Sequence, residues 1–199
     1  MVKIKICGLK RLEDIDIVNK YKPDYIGFVF ADSKRKVSHE MACRLKDNLD
    51  SNIIPVGVFV DASQDEILKL FSQGIIDVAQ LHGSENEDYI AGLKDKTDNK
   101  LKIINAIEMS KDVDLDSFAD TQADFLLLDS GKGSGKTFDW RLIRKNLNKE
   151  FFLAGGLDIS NICQAIEEFN PYAVDLSSSL EVDGFKDETK IREIMEVIR

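Results

Sequence analysis

Eight short apolar runs recur along the chain at nearly constant spacing, and this repeat restricts the fold more than any other feature. The runs open near Val2, Asp24, Ile53, Ile76, Leu101, Asp124, Phe151 and Tyr172, so that successive openings lie 21 to 29 residues apart. Runs this short suit strands buried on both faces better than helix cores. The segments between them mostly carry helical periodicity. Leu12, Ile15 and Val18 share a face, as do Ile67, Leu68 and Phe71, then Ile159, Ile162, Cys163 and Ile166, and finally Ile191, Ile194, Met195 and Ile198. Ser38, Ser63 with Glu66, and Asp187 supply helix start signals, Ser63 and Glu66 at the spacing of a capping box. The fifth segment, around Leu115, Phe118 and Ala119, has the weakest helical pattern. One strand, one helix and two short loops, eight times over, read as an α/β chain closing into a single (β/α)8 TIM barrel over residues 1–199. A five-stranded doubly wound sheet would leave three units unplaced.

The remaining totals narrow the class of partner. A net charge of −9 argues against nucleic acid and against anionic membrane surfaces, both of which call for a basic field. An anionic substrate must then be held by local donors. No apolar run approaches the roughly 18 residues of a membrane span, and no leader pattern opens the chain, so a cytoplasmic location is expected. Cys7, Cys43 and Cys163 are odd in number and lack ligand spacing, which points to neither a disulfide framework nor a metal site. Cys43 and Cys163 fall on helices and read as structural.

Chemistry concentrates at strand ends. In VKIKICG, alternation sends Val2, Ile4 and Ile6 outward and Lys3, Lys5 and Cys7 inward, with Cys7 at the rim. A lysine two residues back on the same face would favour the thiolate. Asp129 ends the run FLLLD and can be read as a turn residue or, beside a thiol at the same rim, as half of an acid–base pair. The stretch after it, SGKGSGKT, nearly spells a phosphate loop, but Ser130 stands where the first glycine belongs. Two readings follow: a nucleotide loop, or a catalytic acid beneath a lid in which Gly133, Ser134 and Gly135 supply flexibility and Phe138 and Trp140 anchor the next helix. Asp175, in AVDLS, is a reserve acid. Arg35, within a basic turn of an acidic chain, is suited to clamp a carboxylate. Gln80 and His82 share a face at the end of the fourth strand, and His39 reads as an exposed helix residue. Gly155 and Gly156 follow strand seven, and Ser178 and Ser179 follow strand eight, where such barrels hold phosphate on backbone N–H groups.

Seven ordered stretches carry a resemblance: KICGLK from Lys5, IGFVF with SKRKVS from Ile26 to Ser38, VGVFV from Val56, QLHG from Gln80, LLLDS with GSGKTFDW, LAGGL from Leu153, and VDLSSSLE from Val174. Together they resemble the phosphoribosylanthranilate isomerase family of tryptophan biosynthesis over essentially the whole chain. The resemblance implies an Amadori rearrangement without metal or cofactor, on a small anionic sugar-phosphate substrate. It implies Asp129 as general acid toward the furanose ring oxygen, Cys7 as general base toward the sugar C2 proton, and Arg35 as holder of the anthranilate carboxylate. Gln80, His82, Gly155, Gly156, Asp175, Ser178 and Ser179 complete the expected substrate contacts, in a monomer or homodimer. The chain departs from the family pattern at Ser179, where Ser-Ser-Gly-Val-Glu is usual, and this bears on phosphate binding. Rival readings are a histidine-pathway isomerase, expected to carry an acid where Cys7 stands, and a noncatalytic phospho-ligand barrel.

Overall fold

A computed structural model describes residues 1–110, 112–130, 139–143, 147 and 149–199. Eight parallel strands close on themselves in sequence order: β1 Lys3–Cys7, β2 Tyr25–Val29, β3 Ile54–Phe59, β4 Val78–Leu81, β5 Lys102–Glu108, β6 Phe125–Asp129, β7 Phe151–Leu153 and β8 Ala173–Leu176. The seam pairs Lys5 of β1 with Asp175 of β8. Closure leaves the barrel sheet no free edge, and each of its strands begins within two residues of the opening expected from its apolar run.

Six α-helices lie among the described residues: α1 Leu12–Tyr21, α2 His39–Asp47, α3 Gln64–Ser72, α4 Glu87–Lys96, α5 Ile162–Phe169 and α6 Glu188–Ile198. The side chains of Ser38, Ser63 and Asp187 each accept a backbone N–H at the start of α2, α3 and α6. Glu66, the expected reciprocal member of a capping box, instead meets Nε2 of His39 at 3.0 Å, which ties α2 to α3. Among its described residues the fifth unit has only a 3-10 turn, Leu115–Phe118, whose first N–H groups are met by Asp114. Its sequence has too few apolar residues at helical spacing to bury a longer helix. In the sixth unit, Trp140 belongs to another 3-10 turn, Trp140–Leu142, with its ring edge-on to Phe169. The glycine and lysine stretch once open to a phosphate-loop or lid reading, with Gly133, Ser134, Gly135 and Phe138, lies outside the described residues.

Strand alternation sorts side chains into two cores. Ile4, Ile6, Leu126, Leu128, Val174 and Leu176 face outward and pack beneath the helices. Tyr25, Val56, Val78, Ile104, Leu127 and Phe152 fill the barrel interior. Its amino-terminal floor is aromatic: Tyr25 and Tyr172 share a hydrogen bond of 2.9 Å, and Phe125 stacks on Tyr172 with centroids 4.7 Å apart. Cys43 and Cys163 sit on α2 and α5 as expected, but both are exposed, outside the buried core. No helix among the described residues is long and apolar enough to cross a membrane.

Candidate active site

Above the apolar layers the interior turns polar, and there it opens into a cavity of about 700 Å³ at the carboxyl ends of the strands. Cys7, Arg35, Gln80, His82, Asp129, Gly155, Gly156, Asp175, Ser178 and Ser179 all line it. The sequence therefore singled out ten residues that the fold brings to one place. Ser177, first of the serine run after β8, lines it as the sequence suggested, and Glu108, Ser130 and Asp158 line it without having been anticipated. Glu108 was the most findable of these, because it ends β5 in register with Asp129.

Cys7 ends β1 and packs with Val29 and Val58, almost fully buried. Room for its sulfur comes from Gly27, its register neighbour on β2: a Cβ there would stand 2.6 Å from Sγ. The thiol does not have the lowered pKa expected from its lysine neighbour. Burial pushes it up, Lys5 offsets this only in part, and the nearby Asp175 carboxylate adds to the rise. Lys5 is itself fully buried, and its ammonium donates to Asp175 Oδ2 at 2.7 Å and Gln80 Oε1 at 2.8 Å. Burial is the largest influence and works against that charge, but Asp175 and Cys7 together hold the lysine above its ordinary value. Asp175 is raised by burial despite Lys5, and its second oxygen, Oδ1, is buried without a hydrogen-bond partner among the described residues. An acceptor facing a cavity in this condition is suited to a ligand hydroxyl.

Asp129 ends β6 with Oδ1 accepting the backbone N–H of Ser130 at 2.8 Å and Oδ2 lying 3.4 Å from Nε2 of His82. His82 meets Gln80 through its other ring nitrogen, Nδ1, at 3.1 Å. The side chains of Lys5, Gln80, His82 and Asp129 thus form a continuous polar arc across the barrel mouth.

Arg35 lies over the end of β1, where Gly8 adopts φ +88° and a Cβ would collide with the arginine Cδ. Its Nε and Nη2 donate to the two carboxylate oxygens of Glu181 at 2.7 and 2.8 Å. The side edge of the guanidinium is therefore taken by the protein, which the sequence did not reveal. The end edge, one N–H from each terminal nitrogen, still presents a fork to a ligand carboxylate. Arg35 is the only lysine or arginine among the described lining residues, and within that set an anionic ligand can draw on it and on backbone N–H groups. Some of the latter come from the glycine pair after β7 and the 3-10 turn Ser178–Leu180 after β8. Ser179 Oγ is buried there without a partner among the described residues. Among the described residues no cluster could hold a metal ion.

A closed parallel barrel whose carboxyl rim gathers a thiol, carboxyl groups and one arginine around a single cavity defines a (β/α)8 enzyme fitted for proton transfer. Residues 4–197 match the model of N-(5′-phosphoribosyl)anthranilate (PRA) isomerase. An N-(5′-phosphoribosyl)anthranilate isomerase from Endomicrobium trichonymphae is 47% identical over 204 residues, covering 100% of this chain and 99% of that one. Solved monomers generated from the dimeric isomerase of Thermotoga maritima superpose with a TM-score of 0.86 at 33% identity, covering 98% of this chain and 97% of theirs. A solved phosphoribosyl anthranilate isomerase in complex with reduced 1-(o-carboxyphenylamino)-1-deoxyribulose 5-phosphate gives a TM-score of 0.86 at 32% identity, with 98% and 97% coverage. The chain belongs to the N-(5′-phosphoribosyl)anthranilate isomerase family, and it is an enzyme.

Proposed function

We infer that this chain converts N-(5′-phosphoribosyl)anthranilate to 1-(2-carboxyphenylamino)-1-deoxyribulose 5-phosphate, the isomerisation of tryptophan biosynthesis, with Asp129 as acid and Cys7 as base. The observation that carries the reading is that one carboxyl group and one thiol, ending strands β6 and β1, line the same cavity. The solved relative bound to a reduced form of the product supports the substrate class.

The carboxyl of Asp129 gives its proton to the furanose ring oxygen as the C1–O bond breaks, and the nitrogen lone pair forms a cationic Schiff base. The thiolate of Cys7 then takes the proton from C2, and the C–H electron pair neutralises the nitrogen as an enolamine. Tautomerisation moves a proton to C1 and releases one from the C2 hydroxyl, giving the ketone with no net proton change. Burial keeps the resting thiol protonated. Its proton passes to the carboxylate that Asp129 became in the first step, which resets the acid, and the positive Schiff base favours the thiolate that then takes the C2 proton. Arg35 offers its end edge to the anthranilate carboxylate, and Asp175 Oδ1 accepts a sugar hydroxyl. The phosphate rests on backbone N–H groups around Gly155, Gly156, Ser178 and Ser179. Ser179 in place of the usual glycine adds a hydroxyl that can donate to the same phosphate. Gln80 and His82 act from the wall, and the assembly is a monomer or, as in the Thermotoga maritima relative, a dimer.

Incubation with freshly generated phosphoribosylanthranilate tests the reading. Its fluorescence is expected to fall far faster than by spontaneous decay. Cys7→Ser and Asp129→Asn should remain folded and each lose roughly 10²–10⁴ in rate. Near-normal turnover in either removes that residue from its role.

A further inference from the structure

We propose that Gln80 is a positioning residue that fixes His82 as its Nε2–H tautomer, so that the ring turns an N–H toward Oδ2 of Asp129. This rests on the reading of Asp129 as the acid, and it assigns the wall residues a task other than substrate contact.

The constraint begins at Lys5, on the opposite side of the barrel mouth. Its ammonium stands 2.8 Å from Gln80 Oε1 and is held in place by Asp175 Oδ2 at 2.7 Å. An ammonium has donors and no acceptor, so the amide must present its oxygen there. The amide NH2 then points the other way, 3.1 Å from Nδ1 of His82. An NH2 group can only donate, which makes Nδ1 the accepting nitrogen. A neutral imidazole with a bare Nδ1 carries its proton on Nε2. Nε2 is the atom 3.4 Å from Asp129 Oδ2, a separation of the kind that shortens when a catalytic site closes on its ligand.

Oδ1 of Asp129 already accepts from the Ser130 N–H at 2.8 Å. With an N–H at Oδ2 as well, both oxygens face donors at the moment the carboxyl gives up its proton and becomes an anion. The opposite tautomer would turn a lone pair toward that developing charge and oppose the transfer. The buried lysine, through one amide, thus determines what the acid meets 3.4 Å away. His39 is the chain's other histidine, and it lies on α2, paired with Glu66.

The test is long-range nitrogen-15 correlation spectroscopy on enzyme carrying labelled histidine, in a His39→Gln background so that His82 gives the only ring signals. In the resting enzyme Nδ1 should show the shift of a bare ring nitrogen and Nε2 that of a protonated one. A protonated Nδ1 overturns the proposal. Gln80→Glu, the same shape without donors, should place a proton on Nδ1. Gln80→Met, which removes donor and acceptor together, should leave a mixture of tautomers. Both variants should lose about 10- to 100-fold in kcat, with KM within a few-fold. A merely structural role would lower thermal stability without moving the tautomer. If either folded variant keeps the wild-type tautomer or the wild-type kcat, the assignment fails. Full turnover in Asp129→Asn would instead remove Asp129 as the acid while leaving the resting tautomer as measured, so the two failures are separable.

Discussion

At the scale of single residues, the role proposed for Cys7 joins two demands that pull apart. A base that removes a carbon-bound proton works as the thiolate, yet the position at the end of β1 is buried, and burial favours the neutral thiol. The ammonium two residues earlier would settle this in favour of the thiolate if it were unpaired, but Lys5 is already bound to Asp175 and Gln80. A folded-state value above the ordinary thiol value means less thiolate at neutral pH than an exposed cysteine carries. In a Cys43→Ser/Cys163→Ser background, the rate of alkylation of Cys7 by iodoacetamide should therefore rise with pH through a midpoint above the usual value of about 8.5. A midpoint at or below that of a model thiol would show Lys5 winning after all. Gly27 belongs to the same local design, since the sulfur occupies space that any β-carbon there would take.

At the scale of elements, the short antiparallel pair β9 Glu181–Val182 and β10 Phe185–Lys186 connects the 3-10 turn after β8 to α6. Glu181 receives the side edge of Arg35 and, at 2.8 Å, the buried ammonium of Lys186. Lys190 of α6 donates to the Glu181 carbonyl at 2.9 Å. Burial works against the Glu181 charge, but Arg35 and Lys186 prevail and hold its carboxyl at about 2. The hairpin thus presents Arg35 to the cavity in one orientation. Glu181→Gln should raise KM about 10-fold with kcat within a few-fold, because ground-state anchoring of the substrate carboxylate is what loosens. The same variant has a pH signature. A carboxyl depressed from 4.5 to about 2 contributes stability above pH 4.5 that is lost as pH falls toward 2. The melting-temperature gap between wild type and variant should be widest near neutrality and shrink across that window; a constant gap would mean that the pairing contributes nothing through ionisation.

At the scale of the whole molecule, the two ends of the barrel divide the work. The aromatic floor, with Phe152 fully buried edge-on to Tyr25, is 5.4 Å between ring centroids and carries no cavity-lining residue. Phe152→Ala should cost about 3–5 kcal/mol of stability by denaturant unfolding, while the folded variant assayed well below its midpoint keeps most of its kcat. A comparable loss of kcat in the folded fraction would show that the floor and the rim are not independent. The barrel and the rim positions were legible in the sequence for one reason. Strand alternation and the βα repeat are local, so the inward face and the carboxyl end of each strand can be read from a few neighbouring residues, and Cys7, Gln80, Asp129 and Asp175 all follow from that. Closure decided the rest. Lys5 meets Asp175 across 170 positions of sequence, Arg35 meets Glu181 across 146, and Lys5 reaches Gln80 across 75. A hydrogen-bond partner is a property of three-dimensional proximity, so the direction of the Cys7 shift, the free edge of Arg35 and the tautomer of His82 could be decided only once the eight strands had met.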